Sequence, residues 1–227
     1  DVVVRQVSST RPITLSPPFR GGVWLAGTAP SNTSVHRRGI AALQGGAFIG
    51  QRFAVDFVKV GTNDDTTHDG HAQNENYWGY GEPVLAVADG EVTDVLNDRP
   101  DNLPHTPPPP LTVENIAGNH VIVRVAPATY VTFAHLQPGS ITVRVGDRVK
   151  RGQVIGRLGN SGNSSGPHLH LQVSDANSVL ASEGLPFVFD SYQYLGSGAD
   201  YPEKQASQPR TRTLPGENSV VRFHAGT

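Results

Sequence analysis

Two histidines stand two residues apart in the second half of the chain, His168 and His170, in an apolar run that follows a Gly-Pro pair. In a strand, residues i and i+2 point to the same face, so the two imidazoles would stand side by side. Such a pair is typical of metal ligands, or of one ligand beside a general base. The alternative is a pair of histidines on a solvated face.

Two more residues strengthen the chemical interpretation. His135 lies near the end of the apolar run 132–136, and Asp56 lies inside the apolar run 53–58. A carboxylate in an apolar strand is costly to bury unless it is paired with a cation or bound to a metal. The alternatives are a single hydrogen-bonded histidine at a strand end, and an ion pair between Asp56 and a nearby arginine such as Arg52.

The elements that must hold these residues are short. Apolar residues come in runs of strand length, rich in Val and Ile and bounded by Gly, Pro, Asn or Asp, and the chain has 25 glycines and 18 prolines. This pattern predicts strands. No segment keeps a helical period, and only residues 176–183 could form a short helix. The sequence therefore predicts a mostly β fold with antiparallel sheets, as a sandwich or an open barrel.

Shifts in composition divide the chain into three zones. We expect an N-terminal arm over residues 1–30, a strand-rich domain over 31–184, and a C-terminal extension over 185–227 that packs on the same domain. Two long polar loops, 62–80 and 97–111, interrupt the middle zone. Long loops on a compact β domain often border a binding site.

Composition also argues against several function classes. The chain has 18 Lys and Arg against 20 Asp and Glu, and this near-zero net charge argues against nucleic acid or an anionic membrane as a partner. No apolar run approaches the ~20 residues of a membrane span. The absence of Cys excludes thiol chemistry. The chain lacks Met and begins at Asp1, which suits a secreted or periplasmic protein whose signal peptide has been removed. We expect a monomer.

Taken together, several runs over roughly residues 48–175 resemble the lysostaphin-like (LytM-type) zinc endopeptidases, which cut the peptide cross-links of bacterial peptidoglycan. The matching runs are residues 80–92, 119–123, 131–136, 145–156, 159–162 and 166–170. The resemblance implies a fold of the duplicated-hybrid-motif type, in which antiparallel sheets form an open groove. It also implies an endopeptidase that binds one Zn²⁺ per chain and takes peptidoglycan peptide as its substrate.

The resemblance assigns roles to individual positions. It makes Asp56 and His170 zinc ligands, places His168 beside the catalytic water, and makes His135 its catalytic companion. Independently of the resemblance, we expect the turn-rich loop 160–166, which precedes the histidine pair, to border the groove, with Asn160 in contact with the substrate. These assignments agree with general chemistry, because Zn²⁺ binds His nitrogen and Asp oxygen and keeps a fourth position for water.

The sequence departs from the family pattern at one important position. The family has a zinc-binding histidine four residues before the aspartate, and this chain has Arg52 there. Because a guanidinium cannot deprotonate, it cannot bind a metal. Two interpretations follow. In the first, the site has lost a ligand and the chain is a catalytically inactive module with a peptidoglycan-binding or regulatory role. In the second, a histidine from elsewhere in the chain replaces the missing ligand. Arg52 would then be free to bind a substrate carboxylate or phosphate.

A hairpin argument selects a replacement ligand. The residues around Gly45 are typical of a turn between two strands. A two-residue turn at 45–46 would place Val35 opposite Asp56, whereas a three-residue loop at 45–47 would place His36 there. Directly opposed residues share a face with Cβ atoms ~5 Å apart, so we predict His36 as the third metal ligand. The alternatives, His68 and His71, lie in the loop 62–80.

Overall fold

The architecture comes from a computed structural model that describes residues 11–108, 110, 112–198 and 206–224. Within these ranges the chain is built mainly of strands, with one short helix, α1 (Val35–Arg38), and a 3₁₀ turn at Asn74–Asn76. The strands are β1 (Ile13–Leu15), β2 (Val23–Ala26), β3 (Ala41–Leu43), β4 (Gly46–Phe48), β5 (Val55–Val60), β6 (Pro83–Leu85), β7 (Gly90–Leu96), β8 (Asn119–Ala126), β9 (Thr129–Leu136), β10 (Arg148–Val149), β11 (Val154–Arg157), β12 (Leu169–Ser174), β13 (Phe187–Ser197), β14 (Gln208–Thr213) and β15 (Ser219–Arg222).

Most strands join one large sheet in the order β1-β13-β15-β2-β5-β12-β9-β8-β7-β10, with β14 on the flank of β13. All neighbours in this sheet are antiparallel except β1 and β13. Two small antiparallel sheets pair β6 with β11 and β3 with β4. The predicted mostly β, antiparallel fold is confirmed.

The sheet runs through the predicted zone boundaries. Strand β2 lies in the predicted arm and β15 in the predicted C-terminal extension, yet the two pair with each other, and β2 also pairs with β5. Aromatic side chains from these strands share one core, where the rings of Phe57 and Phe223 lie 5.5 Å apart. The zone boundaries stay a prediction, and residues 1–10 of the arm lie outside the described residues.

Two local predictions are wrong. Residues 176–183, predicted as a possible helix, form bends and irregular backbone. The hairpin β3–β4 turns at Gln44 and Gly45, with Leu43 opposite Gly46, so neither predicted register is present. Both turn residues have positive φ, 51° and 78°, as a two-residue type I′ hairpin requires. The hairpin ends at Phe48, and β5 pairs with β2 and β12 instead.

No helix in the described part of the chain is both long and apolar enough to cross a membrane.

Candidate metal centre

Three side chains from distant parts of the chain converge at one point. His36, Asp56 and His170 each offer one ligand atom, and these atoms all lie within 4.8 Å of one another. Nε2 of His36 lies 3.3 Å from Oδ2 of Asp56, and Nδ1 of His170 lies 2.9 Å from Oδ1 of the same carboxylate. Two imidazoles and one carboxylate are a donor set that Zn²⁺ accepts.

Strand pairing delivers two of the three residues. β5 and β12 are antiparallel neighbours, and Asp56 lies directly opposite His170. Opposed residues on one face of a sheet have Cβ atoms ~5 Å apart, so the two side chains meet without help from a loop. The apolar neighbours of both residues, Phe57 and Leu171, are fully buried and hold the strands in this register.

The third residue arrives by another route. His36 lies in α1, on the segment that connects β2 to the hairpin β3–β4. Its ring meets the ring of His170 edge-on, with centroids 4.8 Å apart. The structure therefore brings His36 to Asp56 as predicted from sequence, although the hairpin geometry used to predict it is absent. The metal-binding role of the three residues stays a prediction.

Electrostatics favour the metal-binding protonation states of His36 and Asp56. Burial, and then the neighbouring His170, lower the pKa of His36 to about 4, so its ring is neutral at neutral pH. Burial alone would raise the pKa of Asp56, but the imidazoles of His168, His170 and His36 hold it below its usual range. A neutral imidazole and an ionised carboxylate are the forms in which these side chains bind metals.

A buried glutamine fixes the orientation of His170. Gln172 is two residues further along β12, on the same face, and is fully buried. Its amide nitrogen donates to the carbonyl of Val179 at 3.1 Å, so its oxygen faces Nε2 of His170 at 3.0 Å. Burial opposes a charge on His170, but hydrogen bonds to Asp56 and Gln172 raise its pKa. The ring thus donates from Nε2 and presents Nδ1 to the metal position.

Two more histidines stand beside this cluster with their Nε2 atoms available. Nδ1 of His135 donates to the carbonyl of Ser161 at 2.8 Å, and Nδ1 of His168 donates to that of Gly166 at 2.9 Å. Because a carbonyl only accepts, each neutral ring carries its lone pair on Nε2. The two ring centroids lie 4.7 Å apart. Burial and the neighbouring His168 lower the pKa of His135 well below its usual value.

Two cavities meet at the cluster. All five clustered residues line the first cavity, and Asp56 and His168 also line the second. The second cavity extends toward His71 and Tyr77 in the loop 62–80.

The predicted substrate-binding residues lie elsewhere. Arg52 forms an ion pair with Glu183 at 3.2 Å and does not line the two cavities beside Asp56. Asn160 is fully buried and donates to Oδ1 of Asn74 at 2.9 Å. Asn160 does not line the two cavities beside Asp56, and its contact with substrate stays a prediction. Binding of substrate by Arg52 stays a prediction.

The alternative ligands His68 and His71 do not join the cluster. Nε2 of His68 donates to the carbonyl of Glu75 at 3.0 Å, within its own loop. His71 packs edge-on against His105, with ring centroids 5.6 Å apart. The loop 62–80 thus keeps both of its histidines outside the group formed by His36, Asp56 and His170.

Sequence reasoning missed two residues that orient the histidines. Gln172 could have been found, because i+2 from His170 on a strand must share its face. Ser164 could not, because the loop brings its hydroxyl to 3.1 Å from Nδ1 of His168 while that hydroxyl also donates to Oδ1 of Asn160 at 2.5 Å. Asn160 is thus connected to His168 through the hydroxyl of Ser164.

The chain is similar to known peptidases over part of its length. Residues 70–181 match the model of Peptidase family M23. The chain is 48% identical over 56 residues to peptidoglycan DD-endopeptidase ShyC of Vibrio cholerae, a match that covers 24% of this chain and 12% of that protein. It is 30% identical over 135 residues to endolysin 2638A of Staphylococcus phage 2638A, covering 53% of this chain and 28% of the endolysin.

Among solved structures, the M23 metalloprotease pseudoalterin, from the deep sea, is 16% identical, with a TM-score of 0.47 over 88% of this chain and 95% of its own. The two curated relatives, ShyC and the endolysin, are matched over only a small part of their own length. His135, His168 and His170 fall inside the family match, whereas His36 and Asp56 precede it.

Proposed function

We propose that this chain, which carries a domain of peptidase family M23, is a zinc-dependent endopeptidase that hydrolyses peptide cross-links of bacterial peptidoglycan. The observation that carries the proposal is the convergence of His36, Asp56 and His170 within 4.8 Å. The available Nε2 atoms of His135 and His168 stand beside this set. The same chemistry favours one Zn²⁺ per chain.

The alternative, an inactive binding module, has one argument in its favour, the guanidinium of Arg52 at the family's ligand position. That argument is weakened because another imidazole occupies the space beside Asp56 and no cation of Arg or Lys is paired with that carboxylate among the described residues. A site that had lost its metal would gain nothing from keeping a buried carboxylate surrounded by three imidazoles.

The residues support a hydrolytic mechanism. Zn²⁺ held by His36, Asp56 and His170 would polarise the scissile carbonyl and lower the pKa of a water toward ~7. Nε2 of His168 can accept a proton from the attacking water and then deliver it to the leaving amine. Nε2 of His135 accepts a hydrogen bond and so orients the water. Because the carbonyls of Ser161 and Gly166 fix both tautomers, neither ring must reorganise.

The proposal extends to the setting of the reaction. The substrate would be the peptide part of peptidoglycan, which lies across the groove and its two cavities. A peptidase acting on the cell wall works outside the cytoplasm, so we propose that the protein is secreted or periplasmic and acts as a monomer.

The test is a metal assay combined with a hydrolysis assay. The purified chain is expected to contain about one Zn²⁺ and to release peptide products from cross-linked peptidoglycan, and a chelator should abolish the release. The variant His168→Gln should keep its Zn²⁺ and lose activity. A wild-type chain that binds no Zn²⁺ even when the metal is supplied would refute the proposal and leave the binding module.

A further inference from the structure

A carboxylate from the C-terminal extension holds the segment that carries His36. Oε2 of Glu217, in the turn before β15, accepts a hydrogen bond from Oγ of Ser31 at 2.5 Å and another from Oγ1 of Thr33 at 3.3 Å. These contacts join residues separated by 186 and 184 positions. Glu217, Ser31 and His36 all lie outside residues 70–181, the part of the chain that matches the family model.

The contact continues from Ser31 into the backbone of α1. Oγ of Ser31 accepts from the N–H groups of Thr33 and Ser34, at 3.1 and 2.9 Å. The carbonyl of Ser34 then accepts from the N–H of Arg38 at 3.2 Å, which closes the helical turn. One serine hydroxyl therefore connects the carboxylate of Glu217 to the turn that contains His36.

α1 cannot hold this conformation alone. It has four residues, and its N-cap residue Ser34 makes no side-chain capping hydrogen bond. Isolated helices shorter than ~12 residues are marginal in water, so a single turn depends on tertiary contacts. A hydroxyl that donates to an ionised carboxylate makes a stronger hydrogen bond than a neutral pair, and the bonds along such a chain reinforce one another.

The sheet places Glu217 where it can do this. Ser219, at the start of β15, pairs with Ala26 at the end of β2, and Ala26 pairs with Phe57 of β5. The chain that leaves β2 then bonds to Asp56 itself, whose N–H donates to the carbonyl of Thr28 at 2.8 Å. The turn before β15 thus lies at the same end of the sheet as the metal position.

We propose that Glu217 is a positioning residue for His36, and that the C-terminal extension is therefore part of the metal site. The inference rests on the proposed function, because it takes His36 to be a Zn²⁺ ligand. Glu217 does not touch the metal position; it fixes the turn from which His36 reaches Asp56. A chain cut before the extension would keep Asp56 and His170 but lose the support for the third ligand.

The experiment measures Zn²⁺ affinity of the full chain by competition with a chromophoric chelator. The variants are Glu217→Ala, Ser31→Ala and the double variant, with His36→Ala as the reference for a lost ligand. Glu91→Ala is the matched control. Glu91, on β7, forms an ion pair with Arg124 of β8 at 2.8 Å and lies away from the cluster. Visible absorption of the Co²⁺-loaded protein reports the number of ligands, and urea unfolding in chelator reports the stability of each variant.

We expect Glu217→Ala and Ser31→Ala each to weaken Zn²⁺ binding by about 10- to 100-fold, the usual cost of removing a residue that orients a ligand. The double variant should lose no more than the worse single variant, because both act through one chain of contacts. Glu91→Ala should bind as the wild type does. The Co²⁺ spectrum of Glu217→Ala should shift toward that of His36→Ala, which a general loss of stability would not produce.

The inference is overturned if Glu217→Ala binds Zn²⁺ within twofold of the wild type while His36→Ala binds much more weakly. Failure of the proposed function looks different. The wild type then binds no Zn²⁺, or His36→Ala binds as tightly as the wild type, and either result removes the premise and the inference together.

Discussion

Gln172 offers a sharp test of how the site is oriented, because its amide makes one hydrogen bond toward the metal position and one away from it. Its oxygen accepts from Nε2 of His170 at 3.0 Å, and its nitrogen donates to the carbonyl of Val179 at 3.1 Å. The substitution Gln172→Leu keeps the volume and removes both bonds. Gln172→Glu keeps the acceptor for His170 and removes only the donor to Val179.

The two variants should separate affinity from stability. Removing a residue that orients a metal-bound histidine costs about 10- to 100-fold in affinity, so Gln172→Leu should bind Zn²⁺ that much more weakly. Gln172→Glu should bind within a few-fold of the wild type. Both remove the hydrogen bond to the partly buried carbonyl of Val179, so both should lose about 0.5–1.5 kcal/mol of unfolding free energy in chelator.

The assay is the same chelator competition, with urea unfolding of the metal-free protein as the measure of stability. Gln153→Leu is the control, because Gln153 is an exposed glutamine whose oxygen accepts from the N–H of Lys150 at 3.0 Å. The reasoning fails if Gln172→Leu keeps its Zn²⁺ affinity within twofold, or if Gln172→Glu weakens binding as much as Leu does.

Three other predictions concern the histidines. Structural Zn²⁺ sites with four protein ligands bind with about 10–16 kcal/mol, or about 2.5–4 kcal/mol per ligand. Loss of one such ligand in His36→Ala should therefore weaken Zn²⁺ binding by roughly 60- to 700-fold. Arg52→Ala should bind Zn²⁺ within threefold of the wild type in the same competition assay. If Arg52→Ala weakened binding as much as His36→Ala, the assignment of His36 as the third ligand would be contradicted. His168→Gln should lower kcat for peptide release by about 10²- to 10⁴-fold at unchanged Zn²⁺ content; loss of Zn²⁺ would make His168 a ligand. The third concerns pH. The metal-free chain should become less stable as pH falls from 6.5 toward 4, because the unfolded ring of His36 takes a proton that the folded ring, with a pKa of about 4, refuses. This difference amounts to about 3 kcal/mol. Urea unfolding in chelator measures it, and a pH slope unchanged in His36→Gln would contradict it.

Much of the fold could be predicted from sequence because its signals are local. The period-2 runs fixed the strand character of β5, β9 and β12, and the antiparallel, mostly β architecture followed from them. Asp56 and His170 were expected in one site, and the register of β5 with β12 places them opposite each other. A buried carboxylate between apolar neighbours carries its own signal, since its burial needs a partner.

What failed depended on contacts that no short pattern encodes. The turn at Gln44 and Gly45 closes a small hairpin that never reaches β5, and a shift of one residue in the position of a turn changes every pairing beyond it. Asn160 was expected in the groove because its loop borders it. Its amide donates to the carbonyl of Asn102, in the loop 97–111, at 3.1 Å, and its contact with substrate stays a prediction.

The path of the chain explains how His36 can take the place of a ligand expected sixteen positions later, at Arg52, as we propose. The segment between β2 and β5 begins beside Asp56, where Thr28 accepts from its N–H at 2.8 Å, and it returns to Asp56 at the start of β5. Metal coordination depends on the distance between ligand atoms and not on their separation along the sequence. A histidine anywhere on this segment can therefore serve as a ligand if the chain brings its imidazole close to the carboxylate of Asp56.

The segment between β2 and β5, which carries the proposed ligand His36, needs contacts that fix its conformation, since ordering each residue costs about 1–2 kcal/mol of backbone entropy. Two glutamates make such contacts with this segment. Glu217 fixes its first part through Ser31 at 2.5 Å, and Glu183 fixes its last part through Arg52 at 3.2 Å. The second pair is close to half exposed, and such pairs contribute up to ~1 kcal/mol. Arg52, at the position where the family resemblance expects a ligand, thus helps to hold the segment that carries His36. Because only the Glu217 contact leads directly into α1, substitution of Glu217 should reduce Zn²⁺ affinity more than substitution of Glu183.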